Sequence, residues 1–175
     1  MATDFDARRS ETLAWLLRLP FASAPQMALL LGDPEPTVNA SLRGLERAGW
    51  LDWVDSTAPD AEAGRLYLLT DEARKWLTER LAAAPDAVTL SLPLARNETL
   101  HRLAGIEATI AFNRFVAEMA AASHCELDLD LSEAVTLPVR RREAWWPPGV
   151  HGILALQHKE RIAPLFVAID HPSAP

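Results

Sequence analysis

Apolar positions change period along the chain in an order that predicts its elements. Leu13, Leu16, Leu17 and Leu19, with Trp15, recur at helical spacing behind Ser10 and Glu11, and Pro20 ends the run, so 7–19 reads as a first helix. Ser23 is an N-cap for a second, short helix with Pro25 in its first turn and Met27, Leu30 and Leu31 on its apolar side; Gly32 stops it. After the tight turn GDPEP, Val38, Leu42 and Leu45 mark one face of a third helix of roughly three turns over 36–48, entered through Pro34 and Pro36 and closed by Gly49. Trp50 to Val54 and Gly64 to Leu69 then read as two strands joined by the polar loop DSTAPDAEA. Thr70 caps a fourth helix with Asp71 and Glu72 in its first turn and Ala73, Trp76, Leu77 and Leu81 as its stripe. Helix, helix, helix, hairpin, helix is the order of a winged helix-turn-helix.

The rest of the chain has a different texture. AAAPDAVTLSLPLARN holds two prolines and no helical period, which marks 84–96 as a linker between a domain at 1–83 and another at 97–175. From Asn97 to Ala122 runs the longest periodic segment, its apolar positions spread over a wide arc that needs cover on more than one side. Strand patterns follow at Glu126–Leu131, Ala134–Val139, Gly152–Gln157 and Leu165–Ile169, the last two as a hairpin. The expected fold class is therefore α+β, a winged helix-turn-helix followed by a small α/β module with one long helix and a mainly antiparallel sheet.

Composition narrows what such a chain does. A 49% hydrophobic content over 175 residues is enough to bury a core. No apolar run approaches the roughly 18 residues a membrane span needs, and MATDFDARRSE is too acidic for a signal peptide, so a cytoplasmic protein with no membrane partner is expected. The single cysteine, Cys125, has no internal disulfide partner and reads as a small buried hydrophobe. The net charge of −7 argues against a protein that coats nucleic acid through general attraction, so a DNA binder of this composition must concentrate its cations and gains from dimerisation.

Candidate binding residues lie on the third helix. Thr37, Asn39, Ser41, Arg43 and Arg47 fall off its apolar face and are side chains that hydrogen-bond base edges and phosphates; a plain solvated face carries a similar mix. Gln26 and Arg65 are expected to hold the DNA backbone, Arg65 from the start of the second strand, where a solvated strand end is the alternative. On the long helix, Ile110, Phe112, Phe115 and Met119 are the expected dimerisation residues. Arg140, Arg141 and Arg142 beside Trp145 and Trp146 read either as a grip for single strands or as a solvated edge over core tryptophans.

The histidines, His101, His124, His151, His158 and His171, form no i, i+4 pair and no ligand quartet with cysteine, so no metal is expected. Asp128 and Asp130 share the outward face of a strand. The chain has no phosphate-binding glycine loop, GxSxG elbow or Cys/His nucleophile pair, and neither a catalytic residue nor a cofactor is expected.

Taken in order, GLERAGWLDWV and GRLYLLT, then LHRLAGIEATIAFNRF, then GVHGILAL and PLFVAID resemble the replication-relaxation family, proteins of plasmids and other mobile elements. The likeness is strongest over Leu42–Thr70 and Leu100–Phe115. It implies a DNA-binding winged helix and a C-terminal part resembling a restriction-endonuclease fold, with a Pro-Asp-Gly turn and a Glu-x-Asp strand end. At those places this chain has Pro147-Pro148-Gly149 or Val150-His151-Gly152, and Ala168-Ile169-Asp170; only Asp170 remains of the acids. A metal nuclease needs at least two carboxylates, which here would pair Asp170 with Glu143 or Glu160, so the expectation is an abbreviated, catalytically inactive module. The expected function is sequence-specific binding of double-stranded DNA by a homodimer, as a transcriptional regulator or a replication or mobilisation accessory factor. The alternative is a protein–protein interaction module in a replication or mobilisation complex without direct DNA contact.

Overall fold

The structure, a computed structural model, describes residues 2–56, 64–82, 99–100, 106–125, 130–136, 152–158 and 161–169. Their order is α1 (Ala2–Arg18), α2 (Ala24–Leu31), α3 (Glu35–Arg47), β1 (Leu51–Asp55), β2 (Arg65–Leu69), α4 (Asp71–Ala82), α5 (Ile106–Cys125), β3 (Asp130–Thr136), β4 (Gly152–His158) and β5 (Arg161–Val167). The fold class is α+β, with one antiparallel pair β1–β2 and a second antiparallel sheet in the order β3-β4-β5.

Local chemistry sets the boundaries. Ser23 and Gln26 form a reciprocal capping box at the start of α2, and Gly32 ends that helix in left-handed geometry at φ 66°, as its lack of a Cβ permits. Arg8 fixes the turn that follows: its Nε donates to Asp33 Oδ2 at 2.9 Å, and its Nη2 donates to the Leu31 carbonyl at 2.7 Å. The Asp33 hydrogen bond raises the Arg8 pKa above its ordinary value, against the opposing effect of burial, with Glu11 adding to the rise. A guanidinium is charged at neutral pH in any case, so this tie does not depend on pH there.

β2 is paired on both sides. Along one edge it runs against β1, with Trp53 opposite Tyr67; along the other, Ala22 forms a one-residue bridge to Tyr67. The Phe21 amide donates to the Tyr67 carbonyl at 2.8 Å, and the Tyr67 amide donates to the Ala22 carbonyl at 3.0 Å. Phe21 is fully buried at a positive φ of 67°, a conformation that costs a non-glycine residue about 1–3 kcal/mol and persists because the surroundings fix it.

One buried cluster joins the two halves of the chain: Leu13, Leu16, Leu42 and Leu69 belong to it together with Phe112, Val116, Ala120 and Leu154. The fully buried Asn113 donates from Nδ2 to the Pro20 carbonyl at 2.8 Å, tying α5 to the α1–α2 connection. Gly152 lies so close beneath the Phe112 ring that a Cβ there would overlap it. The segment expected to separate two domains, 84–96, lies outside the described residues.

Several boundaries differ from the sequence reading, among them the following three. α1 begins at Ala2 rather than near Ala7. β3 runs through what read as the end of one strand and the start of another, because its register slips between Leu131 and Glu133. Such a bulge inserts one residue and resets the alternation on which the reading relied. β5 begins at Arg161 because His158 pairs directly with it, closing a tight hairpin four residues earlier than the apolar pattern indicated.

Candidate nucleic-acid interface

α3 rests on three buried side chains, Val38, Leu42 and Leu45, and its remaining positions divide into three rows. Pro36, Ala40, Arg43 and Arg47 follow i, i+4, i+7, i+11 spacing and are all exposed, forming the row farthest from the core. Thr37, Ser41 and Ala48 are exposed along one flank, with Gly44 half-buried between them. Asn39 and Glu46, both half-buried, lie along the other. The five residues expected to read DNA are thus presented outward, but not as one set: the two arginines are central, Thr37 and Ser41 lie to one side and Asn39 to the other. Arg47 folds back along its own helix, its Nε donating to the Arg43 carbonyl at 3.2 Å.

Gly44 interrupts an otherwise good helix-forming run without any packing reason. A Cβ built there meets nothing within 4 Å, and its backbone is not in the left-handed region. With Ala40 and Ala48 it leaves a strip of bare helix backbone beside the arginines.

Two expected backbone contacts are placed otherwise. Gln26 is buried: its Oε1 accepts from the Ser23 amide at 3.0 Å, and its Nε2 donates to the Ile110 carbonyl at 3.5 Å, so this side chain closes a cap instead of facing outward. The Ser-x-x-Gln spacing was itself the signal for that role. Arg65 is half-buried against α3, with its Nη1 donating to both Glu46 oxygens at 2.8 and 2.6 Å and its guanidinium carbon 4.2 Å from the Trp53 ring centre. Neither the pair nor the stack was apparent in the sequence, since residues 46, 53 and 65 lie on three different elements.

The expected dimerisation row divides as well. Phe112 is fully buried inside the chain, and Ile110 packs against the cluster of Phe21, Leu66 and Leu68. Both cover the chain's own core, the wide apolar arc of α5 having found that cover within one molecule. Phe115 is exposed and Met119 half-buried.

Just past the C-terminal end of α3, Arg9 lies over Trp50 at 3.8 Å from the ring centre, and Trp50 meets Trp76 edge-on at 5.1 Å. This stack joins α1 and α4 to the connection between α3 and β1. Asp170, Glu143, Glu160, the run Arg140–Arg142 and Trp145–Trp146 lie outside the described residues, as do the side chains of Cys125, His124 and His158. Among the described residues no group of three His, Cys, Asp or Glu is placed to hold a metal ion, and no helix is long and apolar enough to cross a membrane. No known protein family, curated protein or solved structure gives a match to the chain.

Proposed function

We propose that this protein binds double-stranded DNA through α3, as a winged-helix regulator or replication or mobilisation accessory factor. The observation that carries the reading is the outward face of α3: Arg43 and Arg47 exposed at its centre, Thr37 and Ser41 exposed beside them, and its apolar positions fully engaged behind. Arg43 and Arg47 suit phosphates or guanine edges; Thr37, Ser41 and Asn39 suit base edges or adjacent phosphates. The winged-helix reading is supported by the order of elements, by the short α2–α3 turn, and by a hairpin whose second strand also pairs with a one-residue strand between α1 and α2. The likeness to the replication-relaxation family rests on the segments quoted above and suggests the mobile-element setting.

Selection of duplexes from a random pool, followed by titration of the best site, tests this directly. Arg43→Ala is expected to weaken that site by about 1–3 kcal/mol. Equal affinity of variant and parent refutes the assignment.

The net charge of −7, and the exposed Leu29 and Phe115, favour a second reading in which the same domain docks a protein in such a complex. Salt separates the two, because binding through several cations to phosphate falls steeply from about 50 to 200 mM salt, while an apolar interface does not follow that law.

A further inference from the structure

The loop end of the β1–β2 hairpin carries a cation that is already occupied. Arg65 is the first residue of β2, and it reaches back to Glu46 in the last turns of α3. One nitrogen, Nη1, serves both carboxylate oxygens, and the Trp53 ring lies beneath the guanidinium at 4.2 Å. The side chains are 38% exposed for Arg65 and 24% for Glu46, so the pair is open to solvent on one side and only partly screened by salt. Asp55, exposed and directly across the ladder from Arg65, adds a second carboxylate nearby, so the arginine does not give this part of the surface a net positive charge. Glu46 lies on the same flank of α3 as Asn39, so a duplex seated on α3 meets the carboxylate as well as the arginine.

We propose that Glu46 restrains Arg65, holding the hairpin's cation off phosphates so that it adds nothing to sequence-independent binding. The inference rests on the duplex-binding reading of α3 and concerns the regulation of that same surface. Its logic is that of specificity by subtraction: a free arginine strengthens every duplex alike, so neutralising it lowers the non-specific background while leaving base contacts on α3 intact. The stacked ring supports this, since it fixes the guanidinium where Glu46 holds it and reduces the rotamers that reach outward.

The test uses the full chain and a fluorescein-labelled duplex of random sequence, with affinity followed by anisotropy as salt is raised. Each phosphate-neutralising cation adds about 0.9 to the slope of log affinity against log salt. Glu46→Gln is expected to bind several-fold more tightly and to steepen the slope by about 0.9, the contribution of one freed cation. Arg65→Ala alone is expected to leave the slope unchanged, and the double variant to return to the parent's slope. If Arg65→Ala flattens the parent's slope, Arg65 already engages phosphate and the restraint does not exist. If Glu46→Gln weakens binding, the carboxylate positions the arginine for DNA and the proposal is overturned while duplex binding stands. If neither parent nor variants bind any duplex at about 50 mM salt, the duplex reading falls and takes the restraint with it. Glu46→Ala, read by the same slopes, serves as the second variant should the glutamine disturb the fold.

Discussion

Gly44 offers a test in which stability and binding move in opposite directions. Glycine inside a helix is less stable than alanine by about 0.5–1 kcal/mol, because it has more backbone freedom to lose on folding. At Gly44 nothing offsets that cost within the chain: an added Cβ meets no atom within 4 Å, and the Gly44 carbonyl keeps its hydrogen bond from the Ala48 amide at 3.1 Å whichever residue stands there. Gly44→Ala is therefore expected to stabilise the protein by about 0.5–1 kcal/mol, raising Tm by about 1–4 °C for a chain of this size. If α3 enters a groove with the strip Ala40–Gly44–Ala48 against the duplex, the same methyl group intrudes where backbone approaches backbone. The expected loss is then roughly tenfold in affinity, about 1.4 kcal/mol. Thermal unfolding by circular dichroism and titration of the selected duplex read the two effects on one sample. A variant that melts higher and binds equally well refutes close approach at this strip; a variant that melts lower refutes the claim that the space over Gly44 is open.

The other expectations concern what holds α3 in place. Gly152→Ala should destabilise the protein by about 1–3 kcal/mol, since a methyl group there overlaps the Phe112 ring, and denaturant unfolding should show a lower midpoint with an unchanged m-value. Arg9→Ala should cost about 0.5–2 kcal/mol by removing the guanidinium from Trp50. The change should also alter tryptophan emission, because Trp50 and Trp76 are in edge contact, and an unaltered spectrum would count against the stack.

What was legible in the sequence, and what was not, follows from the range of each interaction. The first four helices and the hairpin were readable because caps, breakers and apolar periods act within a few residues: Ser23, Gly32 and Thr70 do locally what their side chains dictate. The outward set on α3 was readable for the same reason, since helical spacing alone separates Val38, Leu42 and Leu45 from Arg43 and Arg47. The fates of Arg65, Ile110 and Phe112 were not. Each is decided by a residue distant in sequence, as Glu46 decides for Arg65. Gln26 differs, since its partner Ser23 is only three residues away and the Ser-x-x-Gln spacing signals the cap. An amphipathic arc records that a face will be covered but not by what. Phe112 therefore read equally well as a dimer contact and as the core residue it is.

That last distinction changes what an assembled form of the protein would look like. The wide arc of α5 had suggested a helix shared between two copies, yet Phe112, Val116, Ala117 and Ala120 lie in the same cluster as the core of the N-terminal helices. Asn113 adds a directional tie to the Pro20 carbonyl, so α5 is fastened where α1 hands over to α2. α2 is thus held from behind by α5 and from its C-terminal end by Arg8, and α3 follows it through a turn that Gly32 and Asp33 fix. The outer row of α3 stays exposed throughout, so α5 acts as a brace for the helix pair and not as a lid over it. For a homodimer suggested by the half-site argument from net charge, α5 itself leaves only Phe115 and Met119 uncovered, and the other exposed large hydrophobics among the described residues are Leu29 on α2 and Leu165 and Phe166 on β5. The pair that α5 leaves uncovered is small cover for a permanent dimer, whose interfaces bury more than about 2,000 Å². Pairing on DNA, where two adjacent sites supply the effective concentration, asks less of the protein surface than pairing in free solution.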